Sequence, residues 1–222
     1  MTRIGSAEPS GEKVLMYFIA KFAHLAGLTM IAAGLIGVFV TDMRSRQLSD
    51  LKIYAEVVRT GSVFYRGLVT PGGLLLLASG WYLTAEYYNG WNFIEIPWLA
   101  GMIFLFAYEF IEGNTLMRVH YRKLHRYIRE SEEKGYVTED LQIERDDELS
   151  SFSHFLDVPN LMVIVSLGAI KPATWTHFIV GVGLALTLAI ILNYMLPRLY
   201  PWQVNHEEES DFSKNTRLSS TS

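Results

Sequence analysis

The chain has 222 residues, is 50% hydrophobic and 19% charged, and carries a formal net charge of −4 with a mean hydropathy of +0.19. It has no cysteine, which excludes disulfides, thiolate metal sites, iron–sulfur clusters and c-type haem attachment. The mild acidity is no nucleic-acid signature, and the charges collect between long apolar blocks, which is the pattern of an all-α polytopic membrane bundle.

Residues 1–13 are polar. A first helix is expected from Val14 to about Val40, longer than the roughly 20 residues a bilayer requires. It is too long for a cleaved leader, carries Lys21 inside, and is followed by no small-x-small cleavage site. Lys21 and His24 stand three residues apart and share a helix face. Gly27, Gly34 and Gly37 permit close approach of another helix. Asp42–Arg66 is a polar connection, and LSDLKIYAEVV within it reads as a short amphipathic helix at the surface.

The second span is Gly67–Ala85, with Pro71 and Gly72-Gly73 near its start and an aromatic far end of Trp81, Tyr82, Tyr87, Tyr88 and Trp91. The third starts near Pro97, carries Glu109 and Glu112, and continues beyond the membrane as the solvated helix RVHYRKLHRYIRESEEK. The mixed-charge segment up to Ser153 is expected to be partly flexible. A short fourth helix, Phe155–Ile170, has Asp157 and Pro159 at its start and Lys171-Pro172 at its end; it either spans or is re-entrant. The fifth runs from Trp175 to Leu196. The expected organisation is a polar segment 1–13, a bundle 14–202 with a charged loop at 118–152, and a disordered tail 203–222.

Basic residues concentrate in the first connection, with five, and the third, with seven. The positive-inside rule therefore makes those two connections and the carboxyl terminus cytoplasmic, with five spans and the amino terminus outside.

Of the six histidines, only His24 lies well inside a span, about 15 Å deep at 1.5 Å per residue. Two readings stand side by side: a histidine hydrogen-bonded to a neighbouring helix, or a ligand to haem iron. A second axial histidine would have to be His177 or come from a partner subunit. Lys21 reads as a snorkelling lysine. Arg66, Glu109, Glu112 and Asp157 all fall towards the inner half and are expected to form a polar cluster, as structural ion pairs or as a proton path. No HExxH, Walker A loop, GxGxxG or repeated Glu-x-x-His is present.

Three stretches carry a family resemblance: AKFAHLAG, RGLVTPGGLLLLASGWYL and FLDVPNLMVIVSLGAIKP. Over about Tyr17–Pro172 they resemble HemJ-type membrane proteins, which are protoporphyrinogen oxidases. They equally resemble an uncharacterised group of small bacterial membrane proteins with the same His opening and Lys-Pro ending. The first resemblance implies a haem-associated oxidoreductase binding haem b in a bacterial inner membrane. It makes His24 the metal ligand, His24 and Lys171 catalytic, and Lys21 and Lys171 partners of propionates. Asp157 and Pro159 take supporting roles. A porphyrin and an electron acceptor would be its partners. Tyr108 is followed by Glu109 where that family has a Tyr-His pair, and Leu156 stands where it has asparagine. The competing reading is a non-catalytic membrane subunit or anchor, alone as a homo-oligomer or with a partner subunit.

Overall fold

A computed structural model describes residues 11–200 apart from Ser49 and Asn89. The polar amino-terminal segment, save its last three residues, and the tail 203–222 lie outside the described residues. The described residues form eight α-helices: α1 (Gly11–Ser45), α2 (Leu51–Phe64), α3 (Thr70–Tyr87), α4 (Pro97–Glu112), α5 (Arg118–Lys134), α6 (Glu139–Arg145), α7 (Glu148–Ile170) and α8 (Thr176–Leu199). No strand occurs among the described residues.

Two π-helical turns join helices end to end. Tyr65–Val69 links α2 to α3, and Gly113–Met117 links α4 to α5. The chain thus forms five long rods: α1, α2–α3, α4–α5, α7 and α8. Among the described residues, four stretches are long and apolar enough to cross a membrane: Gly11–Ser45, Leu51–Tyr87, Glu139–Ile170 and Thr176–Leu199. The α4 rod, interrupted by Glu109 and Glu112, is not among these four, yet it packs along α7 within the same bundle.

Large apolar side chains cover the outside of the bundle. Phe22 is 75% exposed and Leu184 66%. In water such a surface would drive aggregation; in a bilayer it is the ordinary lipid contact. The interior is thinner. Ile31, Leu35, Leu76 and Leu161 knit α1, α3 and α7 together, and Leu105, Phe155, Leu167, Ala185 and Ala189 join α4, α7 and α8. Glycine sets the α1–α3 distance. A Cβ on Gly27 would stand 2.9 Å from the Gly72 carbonyl oxygen, and one on Gly72 would stand 2.9 Å from the Gly27 carbonyl oxygen.

The Arg-rich end folds where a surface helix and a flexible loop are expected. Asp50 caps α2 by accepting the Ile53 N–H, Thr138 caps α6 through the Leu141 N–H, and Asp147 caps α7 through the Ser150 N–H. Gly135, with φ +77°, ends α5. The segment 118–152 is therefore mostly helical. Its Leu124, Ile128 and Leu141 bury against Tyr54, Ala55 and Val58 of α2, so α2 is a core helix of this end and not an interfacial one. The apolar stripe of α2 finds a protein partner in α5, which removes the drive to lie on lipid.

The fourth span is also longer than expected. α7 has 23 residues, and Pro159 lies inside it, not at its start. The residues ahead of Asp157 are helical because Asp147 supplies a cap three turns earlier. That length is sufficient to span.

Candidate functional site

His24 sits against α3, which runs antiparallel to α1. Its Nδ1 is 3.1 Å from Ser79 Oγ, and Ser79 Oγ in turn donates to the Leu75 carbonyl at 2.6 Å. The serine proton is thus committed, so the imidazole donates from Nδ1 and keeps its lone pair on Nε2. Gly80 makes the seat: a Cβ there would meet the ring at 3.3 Å.

The two lysines do not join it. Lys21 is exposed, with its ammonium 5.8 Å from the Tyr17 ring centroid. Lys171 ends α7 in a left-handed conformation, φ +51°, and its ammonium lies 5.2 Å over the Trp98 ring. His177 bonds Ser166 Oγ through Nε2 at 3.1 Å. These four residues have four different sets of partners.

Glu109, Glu112 and Asp157 do converge. One oxygen from each lies within 4.8 Å of the others. The three-residue spacing puts both glutamates on one face of α4, and α7 presents Asp157 opposite. Asn160 Nδ2 donates to Glu109 Oε1 at 2.7 Å, and the Ser153 hydroxyl donates to Glu112. His154 Nδ1 is 3.7 Å from Asp157 Oδ2. Ser153, His154, Asp157 and Asn160 are all buried, on one face of α7.

Arg66 is the exception to the expected cluster. It is exposed and pairs with none of the three acids. Tyr65, its neighbour, takes the inward position, where its hydroxyl occupies the space a Cβ on Gly113 would need. One residue further along a helix points roughly 100° away, which carries Arg66 outward.

Without Arg66 the cluster has no guanidinium to neutralise it. At about 4.8 Å and an effective dielectric of about 20, each pair of like charges repels by about 3 kcal/mol. Three like charges this close disfavour one another, opposed in part by the Asn160, Ser153 and His154 contacts.

A cavity of about 90 Å³ ends at these acids. Most of its other walls are apolar, with Leu28, Leu35, Leu76, Phe106 and Leu161 among them; Tyr65, Thr70 and Asn114 are the remaining polar side chains, and no Lys, Arg or His lines it. A second, smaller cavity of about 40 Å³ lies towards the Arg-rich end, lined by Asp42, Arg46, Tyr54, His120, Tyr121, Arg145 and His154. His154 touches both regions: its Nε2 is 3.3 Å from the Tyr121 hydroxyl. Arg46 is held by Asp42 and by Ser151, each at 3.0 Å. The Arg145 guanidinium lies 5.0 Å over the Tyr54 ring. His120 pairs with Glu144 at 3.0 Å, and Glu144 with the more exposed Lys123 at 3.3 Å. Burial pushes the His120 pKa down, with the neighbouring His154 adding to it. Ionisable groups thus run from the carboxyl cluster to the surface.

Ser153, His154, Asn160 and Tyr65 are site residues beyond those expected from the sequence. The signal for three of them was there: in SSFSHFLDVPN the polar residues recur at helical spacing on one face.

These rods, this lipid-facing surface and the polar interior define a polytopic helical integral membrane protein. Residues 18–172 match the model of a family described as predicted integral membrane protein (DUF2269), and the chain belongs to that family. The match covers almost the same residues as the resemblance read from the sequence, and supports its membrane character without extending to a HemJ-type identity. No curated protein and no solved structure matches the chain.

Proposed function

We propose that this chain is a proton-exchanging membrane bundle whose Glu109, Glu112 and Asp157 carboxyls load and release protons through the Arg-rich end. The convergence of three carboxyls, with no basic residue lining their cavity, carries this reading. Protons shared among acids in a bundle move at low cost, because one carboxyl gains the charge another loses. His154 and Tyr121 supply the next hydrogen-bonding groups, and the small cavity beyond them leads to His120 and Glu144. The positive-inside rule assigns this end to the cytoplasm, and a helical bundle of this kind belongs in a bacterial inner membrane.

Infrared difference spectra of the reconstituted protein between high and low pH test it. Protonated-carboxyl bands should appear on acidification and be lost stepwise in Glu109→Gln and Asp157→Asn. Spectra with no such bands, or bands untouched by both substitutions, would refute the reading.

A second reading, a haem-associated oxidoreductase, rests on the sequence resemblance and on one observation. The Ser79 contact leaves His24 Nε2 with a lone pair, the form in which imidazole binds a metal. The chain by itself does not fit a haem, however. His24 does not line the cavity, Phe22 and Leu25 beside it are exposed, and Lys21, Lys171 and His177 are engaged elsewhere. A macrocycle would need a second copy or a partner subunit to complete its pocket. Protein purified from haem-replete cells would show a Soret band, lost in His24→Ala, if this reading holds. Colourless wild-type protein unable to take up added haem would end it.

A further inference from the structure

We propose that the apolar cavity ending at Glu109, Glu112 and Asp157 binds an amine cation carried on an apolar tail, taken from the bilayer. The inference rests on the proton-exchange reading of the same carboxyls and names what competes with the proton there.

Three observations support it. First, the cavity is asymmetric: hydrocarbon lines most of it, and three acids close one end. An amphiphile with its charge at one end matches that arrangement, the 90 Å³ taking its ammonium and first few carbons while the rest of the tail stays in lipid, and a uniformly polar solute does not. Second, the sign of the charge is set. No basic side chain lines the cavity, and the only histidine against the acids is His154, on the far side of Asp157. Among the described residues, the other ionisable groups facing the cluster are the phenols of Tyr65 and Tyr108 and, through His154, Tyr121. An ammonium is complementary to this set. A phospholipid headgroup is not, because its phosphate would stand beside the carboxylates. Third, there is a way in. α3 and α4 are consecutive in the chain but barely touch, and Leu74, Thr70 and Asn114 on the cavity rim are exposed. Gly73 of α3 faces the Phe110 ring of α4, where a Cβ would still clear the ring at 3.7 Å. The gap therefore persists with alanine there, whereas a leucine fills it.

The binding step balances simply. The ammonium enters as a cation, one proton leaves the carboxyl cluster, and the charge of the site is unchanged. Affinity therefore falls as pH drops and the acids take up their protons.

The test is calorimetry on the full chain in phosphatidylcholine nanodiscs, with decylamine as probe and decanol as the uncharged control. Decylamine should bind saturably and release close to one proton per molecule, read from the dependence of the heat on buffer ionisation. Decanol should bind at least tenfold more weakly. Gly73→Leu and Glu109→Gln should each weaken decylamine at least tenfold, and Gly73→Ala should bind as wild type, with thermal unfolding confirming that each variant is folded. Equal binding of decanol and decylamine, or full affinity in Gly73→Leu, would overturn the proposal. Replacing a tenth of the phosphatidylcholine with phosphatidylethanolamine should leave decylamine affinity unchanged; competition by that lipid would overturn the choice of a phosphate-free amine. Infrared titration of the same samples separates the two readings. Carboxyls that titrate without decylamine binding defeat this inference alone, and carboxyls that never titrate defeat the proton-exchange reading with it.

Discussion

Replacing Gly27 by alanine tests how the two longest apolar rods are held. The new Cβ would stand 2.9 Å from the Gly72 carbonyl oxygen, 3.0 Å from the Leu76 nitrogen and 3.2 Å from Leu76 Cγ. Two of these three are backbone atoms, so no rotamer change relieves them. Reaching ordinary contact at 3.4 Å requires α1 and α3 to part by about 0.5 Å, and overpacking of this kind costs about 1–3 kcal/mol. Gly72→Ala makes the mirror-image clash, 2.9 Å from the Gly27 carbonyl oxygen. Both strains sit at one crossing, so the separation that relieves one relieves the other. The double variant should then lose less than the sum of the two singles. Reversible unfolding of the purified protein in mixed micelles gives the four free energies. Gly67→Ala is the control: nothing lies within 4 Å of its Cβ position, and helix propensity favours the alanine by up to about 1 kcal/mol. If Gly27→Ala were as stable as Gly67→Ala, or if the two crossing variants added fully, the argument from close approach would be wrong.

Three further outcomes are expected. Asn160→Leu removes the donor to Glu109 and should cost about 1–3 kcal/mol in the same unfolding assay, the usual penalty for a buried acceptor left unsatisfied. Tyr121→Phe deletes the hydroxyl next to His154 and should slow proton exchange of the carboxyl bands after a pH jump, without changing their number. His120 has a folded pKa below its unfolded value of about 6.5, so the unfolded chain takes up its proton first as pH falls. Its stabilising contribution is present above about pH 6.5 and lost below it. The melting temperature should drop between pH 7.5 and pH 5.5, and His120→Gln should make that drop smaller.

Much of the architecture could be read from residue order. The uncharged runs marked the rods, Pro97 marked the start of α4, and the spacing of Glu109 and Glu112 placed both on one face. Asp157 was recognised as an acid at the same level, but its helix was started too late. Asp157 and Pro159 have the look of a terminus in the sequence, whereas Asp147 caps the helix and the polar residues between them turn inward. Arg66 lies outside the expected cluster because position along the chain does not give rotation about the helix. Which of Tyr65 and Arg66 faces the acids depends on the π turn they begin, and neither π segment has a marker in the sequence beyond a glycine in each. His24 was singled out for its depth, but its seat on Ser79 and Gly80 is a property of the α1–α3 crossing.

The two π turns make the cytoplasmic-side cap and the membrane rods mechanically phase-locked. Each inserts one residue more per turn than an α-helix would, and they meet where Gly113 admits the Tyr65 hydroxyl. The wider turn absorbs its extra residue, so removing one would restore α geometry with α5 nearly in phase with α4, whereas adding one more to Gly113–Met117 would swing α5 by about 100°. Leu124 and Ile128 would then leave Tyr54 and Val58, and His120 and Tyr121 would turn away from His154. A one-residue insertion in a surface loop is usually tolerated; in this half-buried turn it would disconnect one half of the molecule from the other while leaving every helix intact.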